Sequence, residues 1–240
     1  GRPFGVPWRG AEGDVVAPRI PAKCHGTAMS AQHLTDAGRT DSVIAPLLPL
    51  ALLSSVRMHD RPREILQDED LASSLPRRLG LTEVIETRIR QYEAALRRGR
   101  DVALEEVADL LRLILRRPDA ELILRDAGTW IAQWYFDRRP GRAAIGVLPR
   151  FLRMALLRRS VRRMLARITR AGSVVLSDWP RVTRIQPPLE AVAAAGGSAC
   201  VLYTAALEEI IYLYTRNRPV IEHTQCEGRG MPSCEWTRGG

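Results

Sequence analysis

The chain almost lacks lysine. Its 240 residues hold 36 Lys plus Arg against 27 Asp plus Glu, a net charge of +9, yet Lys23 is the only lysine. Arginine therefore carries nearly all the positive charge. Such a bias follows codon composition, and a pI near 10.2 permits nucleic acid, anionic lipid or an acidic ligand without choosing among them. Long apolar runs are missing too: none reaches the roughly 18 residues of a spanning helix. No secretory signal pattern is seen. The expected setting is cytoplasmic and reducing, where cysteines favour metal over disulfide. There is no G-x-G-x-x-G after a strand and no glycine-rich phosphate loop, which argues against a self-sufficient nucleotide-cofactor enzyme. Helix-turn-helix pattern, zinc-finger spacing and aromatic-basic interleaving are also lacking, which argues against nucleic acid. Histidine is scarce, and no general acid–base pair stands out. His33 and His59 are isolated and read as solvated surface groups.

What remains is the composition of a globular protein, 45% hydrophobic and 26% charged. Residues 1–28 are rich in Gly, Pro and Arg without a period. Residues 1–37 are expected to be a disordered or artefactual extension, with Met29 a candidate natural start. Cys24 and His25 fall inside it and read as an unpaired couple in a tail. A helical region follows over 38–119. Val43, Ile44, Leu47, Leu48, Leu50, Ala51 and Leu52 predict a short apolar helix split by Pro46 and Pro49. Leu81 to Arg97 and Val102 to Arg116 read as amphipathic core helices. After Pro118, Asp119 or Asp126 is the candidate cap of a helix running to about Phe136.

Pro149 opens a helix expected over Arg150 to Arg170. Phe151, Leu152, Ala155, Leu156, Val161, Met164, Leu165 and Ile168 form its predicted apolar face. Arginines 150, 153, 158, 159, 162, 163, 167 and 170 form the other, with no acidic residue. A core helix with a solvated basic face is the plain reading. Peripheral contact with anionic lipid, or with an acidic partner or ligand carboxylate, is the functional one. Beyond Gly172 the period drops to two. Val174 to Leu176 and Val182 to Ile185 predict strands turning at Trp179-Pro180, and Val201 to Thr215 predicts an apolar helix. Helices first and a small antiparallel sheet afterwards make the fold class α+β, with residues 120–240 as the ligand-binding and metal-binding part.

The end of the chain is its most specific stretch. Val220 to Trp236 reads as strand, glycine-rich turn and strand, with His223, Cys226 and Cys234 at the turn and Cys200 upstream. A closed structural zinc site takes four sulfur or nitrogen ligands, and Gly228 and Gly230 allow the positive φ of a knuckle. Cys200, His223, Cys226 and Cys234 are thus one candidate tetrahedral site, with Arg229 or Arg238 to offset its charge. Spacing alone leaves three alternatives open: a Cys226–Cys234 disulfide, cysteines as small buried hydrophobes, or Glu222 as the fourth ligand in place of His223.

These residues resemble the 4-vinyl reductase domain family. Its signature ends with an acidic residue or His, Cys, a Gly-containing turn, Cys and an aromatic, here Glu222-His223, Cys226, Gly228 to Gly230, Cys234 and Trp236. In zinc-containing phenol-sensing members the ligands stand at positions matching Cys200, His223, Cys226 and Cys234, with Glu where this chain has His223. Upstream, Asp126 to Phe136, Arg138-Arg139-Pro140, Leu148-Pro149, the Arg-rich helix and Ala171-Gly172-Ser173 are similar to the bacteriochlorophyll-synthesis branch of the family. The likeness covers about residues 38–238 and is most specific after 196.

The resemblance implies a structural zinc beside an apolar pocket. It also implies a flat ligand of the chlorophyllide type, a tetrapyrrole, delivered to or shared with other bacteriochlorophyll-synthesis enzymes. Trp130, Trp134, Trp179 and Tyr203 are the candidate ligand-binding residues, with Arg158 or Arg162 for a propionate. Trp179 stands at about the distance before Cys200 of the tryptophan that holds phenol in the sensors, but no matching His lies upstream. The family name implies a vinyl reductase, which would need an external reductant. A ligand-sensor domain acting through a protein partner is the other reading, and pairing of relatives through their helices makes a homodimer an open alternative.

Overall fold

The computed structural model describes residues 43–60, 82–169, 182–185 and 196–239. The expected strand at 174–176, Trp179, Cys24, His25, His33 and the 1–37 extension lie outside these residues. The described chain begins with β1 (Val43–Ile44), which pairs antiparallel with β2 (Val102–Ala103). Both dipeptides were expected to be helical. Val43 and Ile44 instead find ladder partners in Ala103 and Val102, so a tertiary pairing overrides the apolar run.

Helix α1 (Leu47–His59) is not split by its prolines. Pro46 sits at the cap position and Pro49 in the first turn, where no intrahelical N–H is needed. Ten consecutive residues from Leu47 to Val56 are buried, so the helix is enclosed on all sides, as its all-round apolar sequence demands. Helices α2 (Thr82–Arg98) and α3 (Leu104–Leu115) fall where the period places them. Helix α4 (Ala120–Asp137) follows. Asp119 holds its cap position but makes no side-chain cap bond. Its carboxylate is taken by Arg117, at 2.8 and 2.9 Å, and that bond holds Asp119 below the usual carboxylate range.

A 3₁₀ turn over Arg142–Val147 leads to α5 (Arg150–Ile168). After the backbone of β3 (Val182–Ile185) comes α6 (Cys200–Thr215), then β4 (Ile221–Gln225) and β5 (Cys234–Arg238). The sheet order is β3-β5-β4, all antiparallel, so β5 is central and α6 lies in sequence between β3 and the closing hairpin. The architecture is α+β.

Helix α6 is the axis of the core. Gly128 on α4 lets the two backbones touch: a Cβ there would collide with the Leu202 carbonyl and lie 3.1 Å from the Ala205 Cβ. Tyr214 near the end of α6 packs edge-on against Phe136, ring centroids 5.3 Å apart. Its hydroxyl is 2.7 Å from Ser160 Oγ on α5, and Arg139 donates to the same serine. Burial raises the Tyr214 hydroxyl above its ordinary value. Among the described residues the larger apolar cluster runs from Ile44 to Trp236, and a smaller one gathers Leu50, Leu53, Ile89 and Tyr92.

Candidate metal centre and the adjoining cleft

Four segments deliver the site. Cys200 is the first residue of α6, His223 lies on β4, Cys226 directly follows that strand at the start of the 3₁₀ turn, and Cys234 begins β5. On β4 the alternation buries Ile221 and half-buries His223 and Gln225, while Glu222 and Thr224 are exposed. That parity settles the choice between adjacent residues: His223 joins the cluster and Glu222 faces away. Between β4 and β5 the chain turns through a 3₁₀ segment, Glu227–Arg229, and Gly230 at φ +85°. The Cys226 carbonyl accepts from the Arg229 and Met231 amides, both at 3.1 Å, and the Glu227 amide donates to Cys234 Sγ at 3.3 Å.

The ligand atoms of Cys200, His223, Cys226 and Cys234 all lie within 4.8 Å of one another. Cys200 Sγ is 3.8 Å from Cys226 Sγ and 3.8 Å from Cys234 Sγ. A disulfide needs about 2.05 Å, and none of the three cysteines is in one. A tetrahedron with metal–sulfur bonds of about 2.3 Å has edges of about 3.8 Å, so the sulfurs stand at ion-sharing distance. His223 Nε2 is buried with no hydrogen-bond partner among the described residues. A buried polar atom in that condition is costly, and a cation held with the three thiols would satisfy it. The four residues can therefore hold a metal ion.

The surroundings are built to keep the four together. Gly197, at φ +75°, passes so close that a Cβ there would run into Cys226 Sγ and lie 3.6 Å from Cys200 Sγ. The Gly196 amide donates to the Gly228 carbonyl at 2.9 Å, and Arg229 Nε donates to the Gly196 carbonyl at 3.1 Å. Arg229 thus ties the knuckle to the loop before α6, whereas Arg238 is at the far end of β5, opposite Ile221. The His223 ring stacks on Trp236, its cross-strand partner, with centroids 4.7 Å apart and planes at 19°. Trp236 Nε1 in turn donates to Thr204 Oγ1 at 2.9 Å, and Thr204 donates to the Cys200 carbonyl at 3.3 Å. Imidazole orientation is thereby passed from β5 to α6 and back to a ligand residue, the outer support a metal site uses. Burial, and then the nearby Cys234 sulfur, raise the Glu227 carboxyl above its ordinary value.

Beside the cluster an open cleft of about 800 Å³ runs between α3, α4 and α6. Cys200 and His223 form part of its wall, with Arg112, Arg116 and Arg125 among the polar residues and Leu124, Val201 and Ile221 among the apolar ones. Arg112 is engaged by Asp109 and Arg125 by Glu121 and Glu208.

The three described aromatics named from the sequence do not line this cleft. Trp130 packs on the core beside Leu50, Leu53, Ile89 and Tyr92. Trp134 lies under the Arg138 guanidinium, 3.9 Å from the ring centre. Tyr203 is buried against Trp236 and donates to the Ile168 carbonyl at 3.3 Å. Arg158 and Arg162 are exposed on α5. His59 is not an isolated surface group either: its side chain is 17% exposed and bonds Asp126 at 2.9 Å. Gly197 and Thr204 were missed from the sequence. The positive φ of Gly197 had a signal in the Gly196-Gly197 pair, whereas the Thr204–Trp236 bond had none.

Comparison of the chain with protein-family models, curated proteins and solved structures gives no match. Among the described residues, no helix is long and apolar enough to cross a membrane.

Proposed function

We propose that this chain is a small-molecule-binding protein whose C-terminal end is fastened by a structural zinc ion. The observation that carries the proposal is the set of sulfur separations, 3.8 Å each from Cys200, together with the partnerless buried imidazole nitrogen of His223. Zinc is preferred because three soft thiolates and one imidazole suit it, and a closed set of four protein ligands suits structure rather than catalysis. When bound, the ion supplies a cross-link among the start of α6, β4 and β5. Gly197 and the His223–Trp236 stack hold the ligands in place around it.

The cleft is then the ligand site. Its size suits a drug-sized to cofactor-sized molecule, and a wall of arginines and aliphatics suits a partly apolar anion. Arg116 has no acidic partner among the described residues and is the first choice for a carboxylate. A chlorophyllide-type tetrapyrrole is the first ligand to try, because the sequence resembles the bacteriochlorophyll-synthesis branch of the 4-vinyl reductase domains. In that reading the chain binds or delivers pigment to other enzymes.

Two measurements test these steps separately. Elemental analysis of protein purified without added metal should find about one zinc per chain, and the Cys234→Ser variant should lose it. Metal-free protein with unchanged thermal stability would remove the zinc reading. Titration of the metal-loaded protein with a protochlorophyllide-type pigment should shift its absorption bands, and Arg116→Glu should weaken that binding about fivefold or more. Unshifted bands at saturating pigment would remove the tetrapyrrole and leave the metal centre standing.

A further inference from the structure

The periodicity of the Arg-rich segment misassigns part of its apolar set, and the misassigned residues face outward. Leu157, Ser160, Val161, Met164, Leu165 and Ile168 form the buried side of α5. Phe151 is 70% exposed and Leu152 42%, and Val147 in the preceding turn is 85% exposed. On a helical wheel Phe151, Leu152 and Ala155 share the outer face with Arg158, Arg159, Arg162 and Arg163. All seven are exposed. None of these four arginines has an acidic partner among the described residues. From Arg138 to Ser177 the sequence contains no Asp or Glu. Several arginines elsewhere are paired: Arg57 with Glu86, Arg88 with Glu106, Arg117 with Asp60 and Asp119.

The apolar tip is held out rather than loose. Ile145, two residues before Val147, is buried, the Leu148 amide donates to the Ile145 carbonyl at 3.3 Å, and the Arg153 amide donates to the Pro149 carbonyl at 3.0 Å. The turn is therefore pinned at its root while Val147 and Phe151 project. Holding two large apolar side chains in water is a cost that packing does not require.

We propose that the Val147–Arg163 face docks on an anionic lipid bilayer. Val147, Phe151 and Leu152 enter the headgroup–acyl boundary, and Arg158, Arg159, Arg162 and Arg163 lie against the lipid phosphates. The inner side of α5 stays packed on the domain, so the helix lies in the plane of the interface as an edge of a folded body. The lipid surface is favoured over nucleic acid because a phosphate ladder has no use for an aliphatic and a phenyl group at the tip. It is favoured over a second copy of the chain because two such faces would place unpaired arginines against each other. Each exposed arginine near an anionic surface adds a modest attraction that salt screens, and the apolar tip adds one that salt does not.

The test is co-sedimentation of the full chain with vesicles of phosphatidylcholine alone or with about one third phosphatidylglycerol. Binding is expected to the anionic vesicles only. Phe151→Ser should weaken it about tenfold, and Arg158→Glu with Arg162→Glu should weaken it at least as much. High salt should erase the arginine effect and leave a residual Phe151 effect. Both variants alter exposed side chains, so unchanged melting temperature and metal content should accompany the loss. Equal binding to neutral vesicles, no binding to anionic ones, or binding indifferent to Phe151 would overturn the proposal. So would a shift of the wild-type chain from dimer to monomer on Phe151→Ser, which would give this face to a second copy. Preferential binding of RNA lost in the arginine variant would overturn it as well.

Discussion

Two junctions in this molecule bring distant segments together, and they use opposite chemistry. At the C-terminal junction, the loop before α6, strand β4, the knuckle and strand β5 meet through three buried sulfurs and a half-buried imidazole. At the other, the end of α1 meets the start of α4 through Arg117 on Asp60 at 2.6 Å, Arg117 on Asp119, and His59 on Asp126. The second junction is partly exposed, so water can replace any one bond, and each contributes little. Sulfur atoms and a buried imidazole nitrogen have no such fallback. With an ion held there, as proposed, the first junction would depend on one shared group, whereas the second rests on several separate weak pairs.

The largest expected effect breaks the first junction. Chelation of the metal, or Cys234→Ser, should cost about 4 kcal/mol or more, read as a melting temperature lower by about 10 °C or more. Gly197→Ala should come next, at about 3 kcal/mol, because the new methyl group runs into Cys226 Sγ at a positive φ. Metal content should fall with it. Gly128→Ala should cost about 2 kcal/mol through overpacking of α4 on α6, with metal content unchanged. If the glycine variants lose metal alike, the distinction between site and scaffold fails.

Smaller effects sharpen the second junction. Arg117→Met should cost only about 1 kcal/mol, measured by urea denaturation with metal bound. The Arg117 bond depresses Asp119. Its contribution is present above the ordinary carboxylate value near about pH 4 and is lost as pH falls below it. Wild type and Arg117→Met should therefore converge in stability only in acid. Tyr92 gives the mirror case. Burial first, and then its bond to Glu106 at 2.7 Å, raise its hydroxyl far above the usual value. That contribution is whole below about pH 10 and is lost as pH rises beyond it, so Tyr92→Phe should flatten the alkaline limb of a stability profile.

The comparison also explains what was legible beforehand. Cys200, His223, Cys226 and Cys234 could be grouped from the sequence because metal ligands are rare residue types with narrow geometric needs. The same holds for the C-terminal hairpin and for helices α2, α3, α4 and α6, whose periods and glycine breaks are local. The ion-pair junction was not legible: arginines and carboxylates are abundant, and nothing marks which of them will meet. His59 reads as a solvated group in the sequence because its partner Asp126 lies 67 residues away. Val43, Ile44 and Val102 read as helical because an apolar run does not announce a strand partner.

By itself the sequence determined an α+β order of elements, a four-residue Cys/His set near its end, and an arginine helix without acids, since each follows from residue type and local spacing. Only the tertiary structure decided that His223 rather than Glu222 joins the cysteines, that Gly197 must be bare, and that Phe151 faces outward. Those outcomes depend on strand parity, on which backbone passes a sulfur, and on which side of a helix its neighbours cover, and all three are set by contacts between segments far apart in the chain.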